Sequence, residues 1–253
     1  MIRAQDLVKT FGTVKAVDGV SFDVREGEIF AFLGPNGAGK TTTIQMLTTL
    51  QAPTSGSISI DGLNPKTRPH EVRRRFGIVF QDPSLDGELT ALENLELHGV
   101  LYRVPRKVRH ERQEMLLKLF ELWEKRDALV KTFSGGMKRR LEIARGFLHT
   151  PRILFLDEPT LGLDPQSRNQ LWTHVKHLNE SEKVTVFLTT HYMDEAEQLC
   201  DRVAIMDHGK VIALGTPNEL MASIEMPPKE PRLHAATLED VFVALTGRHL
   251  RDE

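Results

Sequence analysis

The chain has almost no cysteine: Cys200 is the only one in 253 residues. One thiol cannot build a disulfide framework, so an ordinary apolar core must hold the fold, and a reducing interior is the expected compartment. Net charge is also nearly absent. Lys and Arg number 33 against 35 Asp and Glu, which leaves −2 and no global electrostatic case for nucleic acid as a partner. Long apolar runs are missing. None approaches the ~20 residues needed to cross a bilayer, and the opening residues do not read as a signal peptide. Any role at a membrane is therefore expected to need another polypeptide for the spanning. No internal repeat is visible. Two local basic runs, 73–75 and 138–140, read as solvated helix faces.

What is present is enough for one large domain or a core plus a subdomain, with 40% apolar residues. The first 30 residues alternate apolar and polar around Asp18-Gly19, which predicts an antiparallel β region with its turn at that pair. Ser57-Ile58-Ser59-Ile60, ending in Asp61-Gly62, belongs with it. From about 90 to 150 the pattern is helical. Thr90 with Glu93 predicts a capping box, and Met115, Leu116, Leu117, Leu119, Phe120 and Leu122 an apolar helix face. From 153 onward mostly apolar runs at 153–156, 184–188 and 203–206 read as strands buried on both faces of a parallel sheet. Residues 226–231, rich in proline, read as a stiff linker. A last helix is expected after Thr237, with Leu238, Val241, Phe242 and Leu245 in one stripe and Gly247 as its stop. The expected architecture is α/β: a parallel sheet core, an antiparallel β subdomain and an inserted α-helical subdomain. In residue terms this is a main domain over 1–225 with helical residues about 83–150 inserted, a linker over 226–236 and a C-terminal helix within 237–253.

The most informative stretch is Gly34-Pro35-Asn36-Gly37-Ala38-Gly39-Lys40-Thr41. It fits the phosphate-loop pattern G-x-x-x-x-G-K-[ST], follows the apolar strand 29–33 and opens a helix. Its glycines let successive N–H groups converge on an anion at a helix N-terminus. Lys40 can reach terminal phosphates, and the Thr41 hydroxyl can ligate a Mg²⁺ ion between them.

A second constellation lies far along the chain. Leu154-Phe155-Leu156-Asp157-Glu158 is an apolar strand ending in two carboxylates. Asp157 suits Mg²⁺ through its water shell, and Glu158 suits polarising an attacking water. Phe133-Ser134-Gly135-Gly136-Met137 opens another helix. Ser134 reads as its N-cap, and two glycines at the first helical positions leave bare N–H groups, which make a second anion site. A triphosphate loop plus a remote anion site points to two chains sharing a nucleotide.

With these motifs in this order, the chain resembles the ATP-binding subunits of ABC transporters over nearly its whole length. The resemblance implies the fold of a P-loop NTPase with a RecA-like core, with ATP and Mg²⁺ as cofactors. It implies an adenine stack at Phe11 with Val17 beside it, and phosphate binding by residues 34–41 with Thr42 following. Gln81 matches a glutamine that touches Mg²⁺ and the attacking water. Ser134, Gly135, Gly136 and Met137 match the signature loop, which binds the partner's nucleotide. Asp157 matches the metal aspartate, Glu158 the catalytic glutamate, Asp164 an aspartate that crosses the dimer interface and His191 the switch histidine on the γ-phosphate. Residues 82–101 match the segment where the family docks a membrane subunit.

Met137 stands where glutamine is commoner in the signature, so a ribose hydrogen bond across the interface is expected to be missing. Met137-Lys138-Arg139-Arg140 and the ending Leu238-Glu239-Asp240-Val241-Phe242 resemble the drug, lipid and polysaccharide exporter branch typified by daunorubicin-resistance ATPases. Expected partners are a second ATPase subunit and an integral membrane subunit, with the chain at the cytoplasmic face of the membrane and no nucleic acid bound. Taken singly, Phe11 also reads as a core aromatic, Gln81 as a surface glutamine and Asp164 before Pro165 as an ordinary N-cap. Two other classes stay open: an ABC ATPase acting on ribosomes or nucleic acid, and a P-loop kinase.

Overall fold

The computed structural model describes residues 1–223 and 237–247. The expected linker at 226–236 and the final residues 248–253 lie outside the described residues. The chain divides into two compact units, one formed by Met1–Val72 with the chain from Phe187 onward, the other by Arg73–Val186.

The first unit opens with β1 (Ile2–Phe11) and β2 (Val14–Val24), which pair antiparallel and are joined by β4 (Ser55–Ile60) on the far side of β1. The expected turn at Asp18-Gly19 is not one. The chain reverses at Gly12-Thr13, and Gly19 lies inside β2 at φ +73° where the β1–β2 register slips. Glycine there relieves a bulge rather than closing a hairpin. Asp61-Gly62, by contrast, does turn, with both residues at positive φ and Ile60 bridged to Leu63.

Strand β3 (Ile29–Leu33) is buried at every residue and runs parallel to β8 (Arg202–Asp207), with Phe30 opposite Arg202 and Leu33 opposite Ile205. Burial on both faces is why its sequence is a continuous apolar run rather than an alternating one. Strand β9 (Lys210–Gly215) then returns antiparallel to β8. Phe22, Phe30, Phe32 and Phe187 form the centre of this unit, with ring centroids 4.9–5.8 Å apart. Helix α1 (Lys40–Leu47) follows β3, and α7 (Met193–Leu199) and α8 (Pro217–Ala222) flank the later strands. Helix α9 (Leu238–Thr246) carries the expected Thr237–Asp240 capping box and stops at Gly247, φ +73°. It packs on α7 and α8 through Leu238, Val241 and Phe242, all buried. Leu245 departs from the expected stripe: it is 51% exposed.

The second unit contains β5 (Phe76–Val79) parallel to β6 (Ile153–Asp157). Short α2 (Pro69–Arg73) leads into it and β7 (Thr185–Thr190) leads out. Between β5 and β6 the chain is helical, as expected: α3 (Ala91–Leu101) starts at the Thr90–Glu93 capping box, followed by α4 (Arg106–Leu119) and α5 (Gly135–Phe147). Helix α6 (Pro165–Glu182) follows β6, with Leu171, Trp172, Val175 and Leu178 buried along one face. The 73–75 run is exposed as expected. The 138–140 run is not a solvated face, because Arg139 is only 7% exposed. Helical geometry carries it inward beside Glu142 and Ile143, three and four residues on. Among the described residues no helix is long and apolar enough to cross a membrane.

Candidate functional site

In the first unit the phosphate loop is fixed by two glycines with different tasks. A Cβ on Gly34 would stand 2.2 Å from the Met206 carbonyl oxygen, so only glycine fits that approach. Gly39 sits at φ +101°, where a Cβ would meet the Ala16 carbonyl oxygen at 2.4 Å. The loop is thus pressed against β8 at Met206 and against β2 at Ala16, the residue before buried Val17. Ala38 and Pro35 are buried, Asn36 and Gly37 exposed. Lys40 is 4% exposed, and its Nζ donates to the carbonyls of Gly34 (2.7 Å) and Pro35 (2.9 Å), which ties the loop across its own opening. Thr41 and Thr42 are half-buried at the start of α1, and the Thr43 hydroxyl donates to the Gly39 carbonyl at 2.9 Å.

The same unit brings His191 to the loop's entrance. Gly34 N–H donates to the carbonyl of Thr190 (3.4 Å), the residue before the histidine. The Thr190 hydroxyl donates to buried Glu195 (2.7 Å) and accepts from Tyr192 N–H (2.9 Å), so the backbone on both sides of His191 is held. Phe11 is no core aromatic: it is 46% exposed at the end of β1, with Lys9 Nζ 4.9 Å from its ring centroid. A protruding aromatic ring is suited to stacking on a planar base.

The second unit holds the carboxylates. Asp157 and Glu158 end β6 and are 3% and 7% exposed. Glu158 has φ +44°, in the left-handed region that non-glycine residues avoid. Such a conformation costs on the order of 1–3 kcal/mol and persists only where neighbours enforce it. Gln81 follows Phe80 and is exposed. The Ser134 side chain caps α5, accepting from Met137 N–H at 3.3 Å, and Gly135 and Gly136 occupy the first two helical positions. A Cβ on Gly136 would lie 3.0 Å from the Ser167 hydroxyl. That hydroxyl donates to Asp164 Oδ2 (2.7 Å), and Ser167 N–H donates to Asp164 Oδ1 (3.0 Å), so Asp164 is the N-cap of α6 and lies close to the signature helix. The two Ser167 hydrogen bonds hold the Asp164 carboxyl below the usual carboxylate range.

Sequence reasoning missed Arg139. Its buried guanidinium donates to the carbonyls of Pro159 (2.7 Å), Asp157 (2.9 Å), Glu158 (3.2 Å) and Phe80, and to the Glu142 carboxylate (3.0 Å). Burial pulls its pKa down, and Glu142 opposes that shift. The only signal in the sequence is an Arg and a Glu three apart, flanked by inward-facing apolar residues.

Residues 17–161 match the family described as ABC transporter. The chain is 47% identical over 235 residues to the daunorubicin/doxorubicin resistance ATP-binding protein DrrA of Streptomyces peucetius, covering 93% of this chain and 71% of that one. It is 43% identical over 221 residues to the Nod factor export ATP-binding protein I of Ralstonia nicotianae, covering 87% and 68%. A solved ATP-binding subunit of an ABC transporter superposes with a TM-score of 0.85 at 32% identity, over 97% of this chain and 99% of that one. A dimeric ATP-binding cassette in a post-hydrolysis state, bound to ADP and Pi, does so at 0.77 and 29% identity, over 85% and 98%. Fold, motif order and these likenesses agree: the chain belongs to the ABC transporter family, as an α/β P-loop ATP-binding subunit of the kind that hydrolyses ATP.

Proposed function

We propose that this chain is the ATP-hydrolysing subunit of an export complex. Two copies, or this chain and a close relative, hold two nucleotides head to tail, and a separate membrane subunit carries the substrate. The observation that supports this most is the phosphate loop, whose glycines press against the Ala16 and Met206 carbonyls and whose lysine stands at its mouth. In this reading Phe11 stacks on adenine with Val17 beside it. The N–H groups of residues 34–42 and the Lys40 ammonium bind phosphate. Ser134, Gly135, Gly136 and Met137 of one copy face the other's γ-phosphate, with Asp164 at the same interface. Glu158 accepts a proton from the attacking water, Gln81 orients that water, and His191 donates to the γ-phosphate.

In this reading the Thr41 hydroxyl, the Gln81 amide oxygen and the Asp157 carboxylate would hold Mg²⁺; all three offer oxygen, the donor type that ion takes. Mg²⁺, when bound, neutralises phosphate charge. Contacts to the γ-phosphate, each worth roughly 1.5–3 kcal/mol, close the dimer, and their loss on hydrolysis reopens it. Residues 1–225 form the ATPase domain, with about 83–150 as its helical insertion. Residues 82–101 meet the membrane subunit, which puts the chain at the cytoplasmic face. One relative is named for daunorubicin/doxorubicin resistance and another for Nod factor export, which supports an exported substrate; that it is drug- or lipid-like is part of the proposal.

Glu158→Gln keeps shape and hydrogen bonding but removes the base. Turnover should fall on the order of 10²–10⁴-fold with ATP still bound and a dimer visible by size-exclusion chromatography in MgATP. Lys40→Ala should instead weaken nucleotide binding itself. Near-normal turnover in Glu158→Gln would move the base elsewhere. Co-purification from detergent-solubilised membranes tests the export reading.

A further inference from the structure

Arg139 uses every donor it has. A guanidinium carries five N–H groups in a rigid fork. Here Nε reaches the Pro159 carbonyl, Nη2 those of Asp157 and Glu158, and Nη1 that of Phe80 and the carboxylate of Glu142. Three of those carbonyls belong to consecutive residues of the turn in which Glu158 is held at φ +44°. The fourth precedes Gln81.

The other side of Gln81 is gripped from the same helix. Glu142, bound to Arg139 through Oε2, accepts from Ser84 N–H through Oε1 at 2.7 Å. Arg145 donates to the Ser84 carbonyl at 2.6 Å and to its hydroxyl. The residues from Gln81 to Pro83 are therefore bracketed by two anchors, Phe80 and Ser84, both bonded to α5. Helix α5 begins at the Ser134-Gly135-Gly136 loop. One helix thus carries the signature loop at its end and, along its buried face, holds the backbone of both residues assigned to the attacking water.

We propose that Arg139 is a positioning residue for hydrolysis: it fixes the Glu158 turn and the chain before Gln81 to the signature helix, setting the aim of the base without touching nucleotide. This rests on the reading of Glu158 as the base. Lysine at 139 would keep the charge facing Glu142 but has three donors and no planar fork, and glutamine has two donors and no charge. Neither can hold four carbonyls. Misplacement of a reacting group by about 1 Å can cost up to 10²-fold in rate.

The test is steady-state hydrolysis by the full chain carrying Arg139→Gln, Glu158→Gln or both. Arg139→Gln should lower kcat about 10–100-fold with the KM for ATP within about threefold of the original. Added to Glu158→Gln it should change the residual rate less than about twofold, because it acts through that carboxylate. If Arg139→Gln does not fold, Arg139→Lys should show the same kcat-against-KM split at about 3–10-fold. An Arg139 variant with kcat within about twofold of the original, beside an inactive Glu158→Gln, overturns the positioning role and leaves the Glu158 reading intact. Loss of kcat accompanied by an equal rise in KM also overturns it, since that marks a general loosening of the unit. Near-normal turnover in Glu158→Gln overturns both, and that control alone tells the two failures apart.

Discussion

Acidification should weaken this protein through two half-buried histidines. His98, Tyr102 and His149 stack in the helical part of the second unit, with ring centroids 4.6 Å and 3.9 Å apart. His149 Nε2 lies 3.0 Å from the Phe76 carbonyl, while His149 Nδ1 and His98 Nε2 are buried without a hydrogen-bond partner among the described residues. Burial pushes His98 down to about 3, helped by the nearby charge of Arg145, and His149 down to about 4, with Arg112 adding to the effect. Unfolded, both would titrate near 6.5. Between about pH 4 and 6.5 the unfolded chain therefore binds more protons, and stability rises with pH across that window. It is complete above about pH 7 and is lost as pH falls toward the folded values. At pH 5.5 each neutral histidine forgoes about 1.4 kcal/mol of protonation, or roughly 3 kcal/mol for the pair. At roughly 2–4 °C per kcal/mol for a chain of this size, that lowers Tm by roughly 6–12 °C between pH 7.5 and 5.5. Differential scanning fluorimetry measures it. Other groups also titrate in this range, so the discriminating comparison is His98→Phe, which keeps a ring on Tyr102 and removes one proton site. Its acid-induced drop should be smaller by roughly 3–6 °C. Equal drops in the two proteins would show that His98 is not held neutral by its surroundings.

Two further outcomes follow from where two phenylalanine rings sit, one buried and one exposed. Phe242→Ala should cost roughly 3–5 kcal/mol in denaturant unfolding, because the ring is fully buried against its own unit, whereas Leu245→Ala at 51% exposure should be near neutral. An unchanged Tm after deletion of 237–253 would contradict this packing. Phe11→Ala should weaken ATP and GTP alike by on the order of 1–3 kcal/mol, read by nucleotide titration, since stacking does not read base edges. Unchanged affinity would remove Phe11 from the nucleotide site.

How much of this could be read in the sequence depended on how local each constraint is. The phosphate loop, the Thr90, Ser134, Asp164 and Thr237 caps and the buried strands 29–33 and 153–156 are set by residues within a few positions of one another. Caps and loop glycines leave a mark at fixed spacing because their hydrogen bonds close over one helical turn. Asp18-Gly19 misled for the same reason: it is a good turn pair, but turn chemistry does not say whether a glycine ends a strand or relieves a slip within it. The Leu238–Leu245 spacing gave the apolar face correctly and not its extent, since the covering surface ends before Leu245. Arg139 left no usable mark. The four carbonyls it binds lie 18, 19, 20 and 59 residues away, and a basic run on a helix normally faces solvent. Strands β5 and β9 were unread: β5 has only four residues, and β9 alternates so mildly that half of it is exposed.

The buried cations Lys40 and Arg139, one in each unit, differ in kind, and under the proposed function the difference matches their tasks. Lys40 and Arg139 both sit almost out of solvent and both catch backbone carbonyls of the loops they serve. A buried charge is costly unless its donors are matched. Lysine meets that demand with a compact ammonium on a flexible stem, so its bonds to Gly34 and Pro35 can be exchanged for phosphate oxygens by rotation about single bonds. Arginine meets it with a planar fork whose five donors are all committed, four of them to carbonyls of fixed backbone. Rotation would break several bonds at once. Lysine is therefore suited to the loop that must change partners as nucleotide comes and goes, and arginine to the turn that must keep Glu158 in a backbone conformation it would otherwise leave. Exchanging the two residue types should damage the two sites in opposite ways. Arginine at position 40 would be too large and too rigid for the closed loop, and lysine at position 139 too loose for the turn.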